Sequence, residues 1–155
     1  MRSSPVSTGI SRSETGQGRK NRGSADLERT DKETIRYIHE PTDLQCGQAV
    51  LAMLTGMTAE AVCTELDNER ETTLREMKDY LCDHGMRMSD QRIQVNTREE
   101  LPALCVLSLE TPRCWHWSLY CEGVFFDPEH GVMDDFPDSG RKYFWKVDRE
   151  GEPAQ

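Results

Sequence analysis

The chain has 155 residues, 19 Lys+Arg against 28 Asp+Glu for a formal net charge of -9, and 35% hydrophobic residues, a length that suits one domain with a self-sufficient core. No run approaches the roughly 18 consecutive apolar residues of a membrane span, and the N-terminus lacks the apolar core of a secretory signal. An acidic body repels phosphate backbones, so neither nucleic acid nor membrane is an expected partner.

The charge is unevenly spread. Residues 1–30 hold six Lys/Arg and three Asp/Glu, against thirteen and twenty-five for residues 31–155. The first thirty are rich in Ser, Gly, Arg and Thr with few large apolar side chains, which reads as a disordered basic tail. The folded domain is expected over 31–149, with a flexible C-terminus at 150–155. The six cysteines fall mostly inside apolar patterns, where a reduced thiol packs as a small hydrophobe, so a cytoplasmic protein without disulfides is expected.

From Cys46 the run CGQAVLAMLTG places Ala49, Val50, Met53 and Leu54 on one helical face, with Gly56 as its stop. A second helix is expected after Thr58, with Ala59, Val62, Cys63 and Leu66 on one side. A third follows Thr73, whose hydroxyl and the Glu76 carboxylate make a capping box, and runs through Leu74, Met77 and Leu81 to Gly85. Beyond Gly85 the segments RIQV, ALCVLSL, WHWSLYC, VFFD and KYFWKV are rich in β-branched and aromatic residues and separated by turn clusters. Helices followed by strands predict an α+β domain, its N-terminal helices packed on a C-terminal antiparallel sheet.

Cys46 opens the first helix, where free N–H groups and a partial positive charge favour a thiolate. Gly47 is expected to leave room there for a substrate carbonyl, with the Cys46 N–H facing a developing oxyanion. Alone, a cysteine at the start of an apolar helix is more often packing than chemistry. Its candidate partners lie on a hairpin. If Glu122 and Gly123 form a two-residue turn, Cys121 pairs with Val124 and Ser118 faces Asp127. His116, Ser118 and Asp127 then share one sheet face, with the carboxylate placed to orient the imidazole. A loop one residue longer or shorter would put them on opposite faces. The bland alternative makes Asp127 the start of the DPEHG turn.

The runs DLQCGQAVLAMLTG and HWSLYCEGVFFDP together resemble the peptidase C39-like branch of papain-like cysteine proteases, over about residues 36 to 147. The resemblance implies a papain-like fold with Cys46 as nucleophile, His116 as general base and acid, and Asp127 as orienter. It implies a stand-alone thiol hydrolase acting on a peptide or protein, with no cofactor. Deamidation and acyl transfer use the same three residues. The family pattern places a glutamine six residues before the nucleophile as an oxyanion donor, and this chain has Glu40 there. Gln45 stands where many relatives have an aspartate. The donor candidates are therefore Glu40, if protonated, and Gln45, with Gln48 beside it; a fold that kept its cleft for binding and lost turnover is the rival reading.

Cys82 with His84 and Cys114 with His116 form Cys-x-His pairs, but without a C-x₂₋₄-C knuckle no metal site is expected. His39 and His130 read as loop residues near the cleft.

Overall fold

The computed structural model describes residues 35–149. The expected basic tail (1–30), the start of the expected domain (31–34) and the expected flexible terminus (150–155) lie outside the described residues. Within them the fold class is α+β: helices come first, and an antiparallel sheet follows.

Helix α1 (Cys46–Thr55) is buried from Cys46 through Leu54, and Gly56 ends it at φ 79°, its N–H donating to Ala52 O. That left-handed conformation is the reason a glycine sits there. Helix α2 (Ala59–Leu66) starts from Thr58, whose hydroxyl accepts the Ala61 N–H at 3.0 Å. Helix α3 (Leu74–Asp83) carries the Thr73/Glu76 capping box expected from the sequence, with both reciprocal bonds formed. Among the described residues no single helix is long and apolar enough to cross a membrane.

The strands are β1 (Met86–Met88), β2 (Ile93–Val95), β3 (Leu104–Glu110), β4 (Trp115–Cys121), β5 (Val124–Asp127), β6 (Gly131–Met133) and β7 (Lys142–Arg149). Their order is β1-β7-β3-β4-β5-β6, all pairings being antiparallel. β2 shares the outer edge of β7 with β1, pairing with its first residues while β1 pairs with its last. β1 and β6, at three residues each, are too short to show alternation and leave no strand signal in the sequence.

Side chains alternate across each strand, and both faces of the central strands are covered. Val106, Leu119, Phe126 and Trp145 meet Val50, Leu51, Leu54, Met77 and Leu81 on the helical side. Cys105, Leu107, Leu109, Phe125 and Phe144 make a second cluster on the other face, closed by Phe136 and Leu101. This two-sided burial explains why ALCVLSL reads as a nearly unbroken apolar run. All six thiols are free.

Candidate active site

The β4–β5 turn has Glu122 at φ 47° and Gly123 at φ 92°, the paired positive values of a two-residue hairpin whose twist matches its strands. Its register joins Cys121 to Val124 and Leu119 to Phe126, so Ser118 and Asp127 come opposite each other just beyond the ladder. His116, Ser118 and Asp127 therefore project from one face. His116 Nε2 lies 3.0 Å from Asp127 Oδ1, and Ser118 Oγ donates to Oδ2 at 2.8 Å.

Asp127 Oδ1 also accepts the backbone N–H groups of Glu129 and His130, each at 3.0 Å, and lies 2.9 Å from His130 Nδ1. The carboxylate thus starts the turn and holds the histidine at the same time; the two readings of this aspartate are compatible. Tyr37 donates its hydroxyl to the Asp127 carbonyl at 2.6 Å. Asp127 is fully buried. Burial alone would raise its pKa, but hydrogen bonds from His116, Ser118 and His130 outweigh it and hold the carboxyl well below the usual range. For His116, burial opposes the charged form, and the bonds to Asp127 and Cys46 overcome it and push the imidazole pKa up.

Helix α1 brings the sulfur to the same place. With the hairpin's parity, the ladder partner of Trp117 beyond Asp127 would be Pro128. The Pro128 carbonyl is taken by the Glu40 N–H at 2.9 Å, and the Trp117 N–H donates instead to Cys46 Sγ at 3.4 Å. Cys46 Sγ, a His116 ring nitrogen and a Glu40 carboxylate oxygen lie within 4.8 Å of one another. Since Nε2 serves Asp127, Nδ1 is the nitrogen left for the thiol.

The same backbone bond that frees Trp117 sets Glu40 in place. Its side chain is 7% exposed, and Oε1 has no hydrogen-bond partner among the described residues. Burial is the main cause of its raised pKa; Glu129 and Asp127 add to it, and His116 and His39 oppose. Gln45 goes elsewhere: its amide donates to Glu69 O at 2.9 Å. Gln48 likewise donates to Asn68 O and Arg70 O. Both glutamines clamp the loop between α2 and α3, so of the oxyanion candidates the site contains Glu40.

Gly47 also differs from expectation. A Cβ there would sit 1.8 Å from Thr72 Oγ1 and 3.1 Å from Trp117 Cδ1. The space at Gly47 is filled by Thr72, so the glycine serves close packing of the helix tip and not access for a carbonyl.

A cleft of about 390 Å³ adjoins the site, lined by Glu40, His116, Cys114, Glu129, His130 and Asp138 among others; Cys46 and Asp127 are not among its lining residues. His130, read from sequence as a loop residue, bonds Asp127 and stands edge-on to the His116 ring. Its position three residues after Asp127, in an Asp-Pro turn, was the available signal, since an Asp side chain in such a turn reaches forward to the following residues. His39 is exposed. Among the described residues, the groups of side chains able to hold a metal are Glu40–Cys46–His116 and His116–Asp127–His130, and neither contains Cys82, His84 or Cys114. His84 instead stacks on Tyr80 and pairs with Glu65.

No family model matches the chain, and no curated protein matches it.

Proposed function

We propose that the protein is a thiol hydrolase of papain-like, C39-like kind, acting on a peptide or protein through an acyl-enzyme at Cys46. The observation that carries this reading is the meeting of Cys46, His116 and Asp127, drawn from a helix tip and two strands, with His116 lining a cleft beside them. In this mechanism Asp127 holds the His116 ring by Nε2, which directs Nδ1 at the sulfur. The thiolate attacks the carbonyl carbon, and the C=O π electrons move onto oxygen. As the C–N bond breaks, the proton on Nδ1 passes to the leaving amine. Neutral His116 then takes a proton from water, whose oxygen attacks the thioester, and Cys46 leaves as thiolate.

The oxyanion would be met by the Cys46 N–H, which at the first helical position has no intrahelical acceptor. Glu40 would supply the second donor as a neutral carboxylic acid, the form that its burial favours. An ionised Glu40 would instead repel the oxyanion, and this supports the second reading: a papain-like binding protein that retains peptide recognition with little turnover. Release of the acyl group to an amine, or attack on a glutamine side chain, would make the same site a transferase or deamidase.

The test is covalent capture. A peptidyl electrophile should label Cys46 stoichiometrically at neutral pH, with His116→Ala slowing labelling by a factor of about 10² to 10⁴. Labelling of Cys46 no faster than that of exposed Cys82, together with unchanged function in Cys46→Ala, would exclude the hydrolase.

A further inference from the structure

The cluster at the helix tip has a chemistry that peptide hydrolysis does not need. It joins a carboxylate, a thiol and an imidazole within 4.8 Å of one another, each from a residue under a tenth exposed. We propose that Glu40, Cys46 and His116 bind one Zn²⁺ ion, with water in the fourth position, and that the bound metal masks the thiol.

Several independent features favour this assignment. Zinc takes sulfur, nitrogen and oxygen ligands at about 2.0–2.3 Å in tetrahedral sites, which places the ligand atoms roughly 3.4–3.6 Å apart. Side chains already within 4.8 Å reach that arrangement by small rotations. Glu40 Oε1 is buried and has no partner among the described residues, and a Glu40 carboxylate oxygen lies within 4.8 Å of the sulfur and the imidazole. A cation would satisfy it, whereas a neutral glutamine amide at this position would be a weaker zinc ligand.

The surroundings of His116 match those of metal-bound histidines. Such a ligand donates its second N–H to a carboxylate that fixes the tautomer and raises its basicity. Nε2 is held in this way by Asp127, which is itself fixed by Ser118 and the backbone of Glu129 and His130. Nδ1 is thereby directed to the metal. The approach is also acidic, with Asp43, Glu129 and Asp138 lining the cleft against Arg113, which pairs with Asp43. In the bound state the ligands are the Glu40 carboxylate, the Cys46 thiolate and neutral His116, and any proton these groups carry beforehand is released to solvent. No bond changes oxidation state.

Equilibrium dialysis of the full reduced chain against Zn²⁺, with Co²⁺ as a spectroscopic stand-in, tests the site. One metal per chain and a cobalt–thiolate charge-transfer band are expected, both lost in Cys46→Ala. Glu40→Gln should weaken affinity at least tenfold, and Asp127→Asn by about 10- to 100-fold through the supporting shell. Cys114→Ser, an exposed thiol at the same cleft, should leave affinity unchanged. A readout that needs no variant is alkylation of the native protein: stoichiometric zinc should protect Cys46 while Cys114 still reacts. Undiminished alkylation of Cys46 under zinc, or affinity unaltered by Glu40→Gln, would overturn the proposal. Covalent capture of the metal-free chain reports separately on hydrolysis. Zinc protection without acyl-enzyme leaves the metal site standing, and acyl-enzyme without zinc protection removes the metal site alone.

Discussion

Asp127 carries more structure than any other residue of the site. One oxygen accepts from His116, from two backbone N–H groups of its own turn and from His130, and the other accepts from Ser118. Breaking a buried charged pair by removing one member typically costs about 3–5 kcal/mol, so Asp127→Ala should lower both melting temperature and turnover steeply. Ser118→Ala removes one 2.8 Å bond and should cost about 1–3 kcal/mol while leaving turnover within tenfold of wild type; denaturant titration and kcat measurement compare the two. Glu40 gives a contrast of opposite sign. One oxyanion donor is worth a factor of about 10² to 10³ in kcat. Glu40→Gln should therefore equal or exceed the wild-type rate at neutral pH, and Glu40→Ala should lose about two orders of magnitude. A tenfold loss in the glutamine variant would remove Glu40 from the oxyanion site. The thiols provide a further readout: burial raises the pKa of both Cys63 and Cys105, so a thiol-directed reagent at neutral pH should leave them unmodified after Cys46 has reacted.

At the scale of elements, the site depends on one short-range device and one close approach. The Glu122–Gly123 turn sets the parity of β4 against β5, and a residue inserted there would move His116 and Asp127 to opposite faces. Such an insertion should abolish Cys46 labelling even if the domain stays folded, which far-ultraviolet circular dichroism and labelling together would reveal. The close approach is at Gly47, where Thr72 and Trp117 leave no volume for a methyl group. Gly47→Ala should cost about 1–3 kcal/mol and shift the helix tip, with labelling slowed. Adding Thr72→Ala removes the hydroxyl that the new Cβ meets at 1.8 Å and should recover part of the loss, a coupling that a double-mutant cycle measures.

At the scale of the molecule, burial on both faces of the sheet ties the site to global stability. Leu109, fully buried, is the register partner of His116. Leu109→Ala should cost about 2–5 kcal/mol and loosen the imidazole as well. The pH dependence of stability follows from the same pair. The Asp127 pKa is depressed in the fold, so its contribution is present above the unfolded value of about 3.9 and is lost as pH falls through the lower folded one. His116 is raised, so its contribution is present below the unfolded value of about 6.5 and fades as pH climbs toward about 10. Melting temperature should accordingly plateau between about pH 4 and 6.5 and decline on both sides. In His116→Ala the alkaline decline should shrink, and an unchanged alkaline limb would contradict this assignment.

What the sequence determined by itself was local. Thr58, Thr73 with Glu76, and Gly56 specify helix ends because a cap is satisfied within a few residues. Glu122 and Gly123 specify a hairpin whose parity puts His116, Ser118 and Asp127 on one face, because side chains alternate strictly along a strand. The tertiary structure decided everything that depends on distant segments meeting. It inserted β7 between β3 and the short strands β1 and β2, turned Gln45 and Gln48 toward a loop, filled the space at Gly47 with Thr72, and added His130 to the aspartate. It also placed Glu40 against Cys46 and His116, with the Glu40 N–H on the Pro128 carbonyl and the Trp117 N–H on Cys46 Sγ. Such contacts are set by packing and by competition for backbone hydrogen bonds across the chain, and neither leaves a periodic trace in the residues that make them.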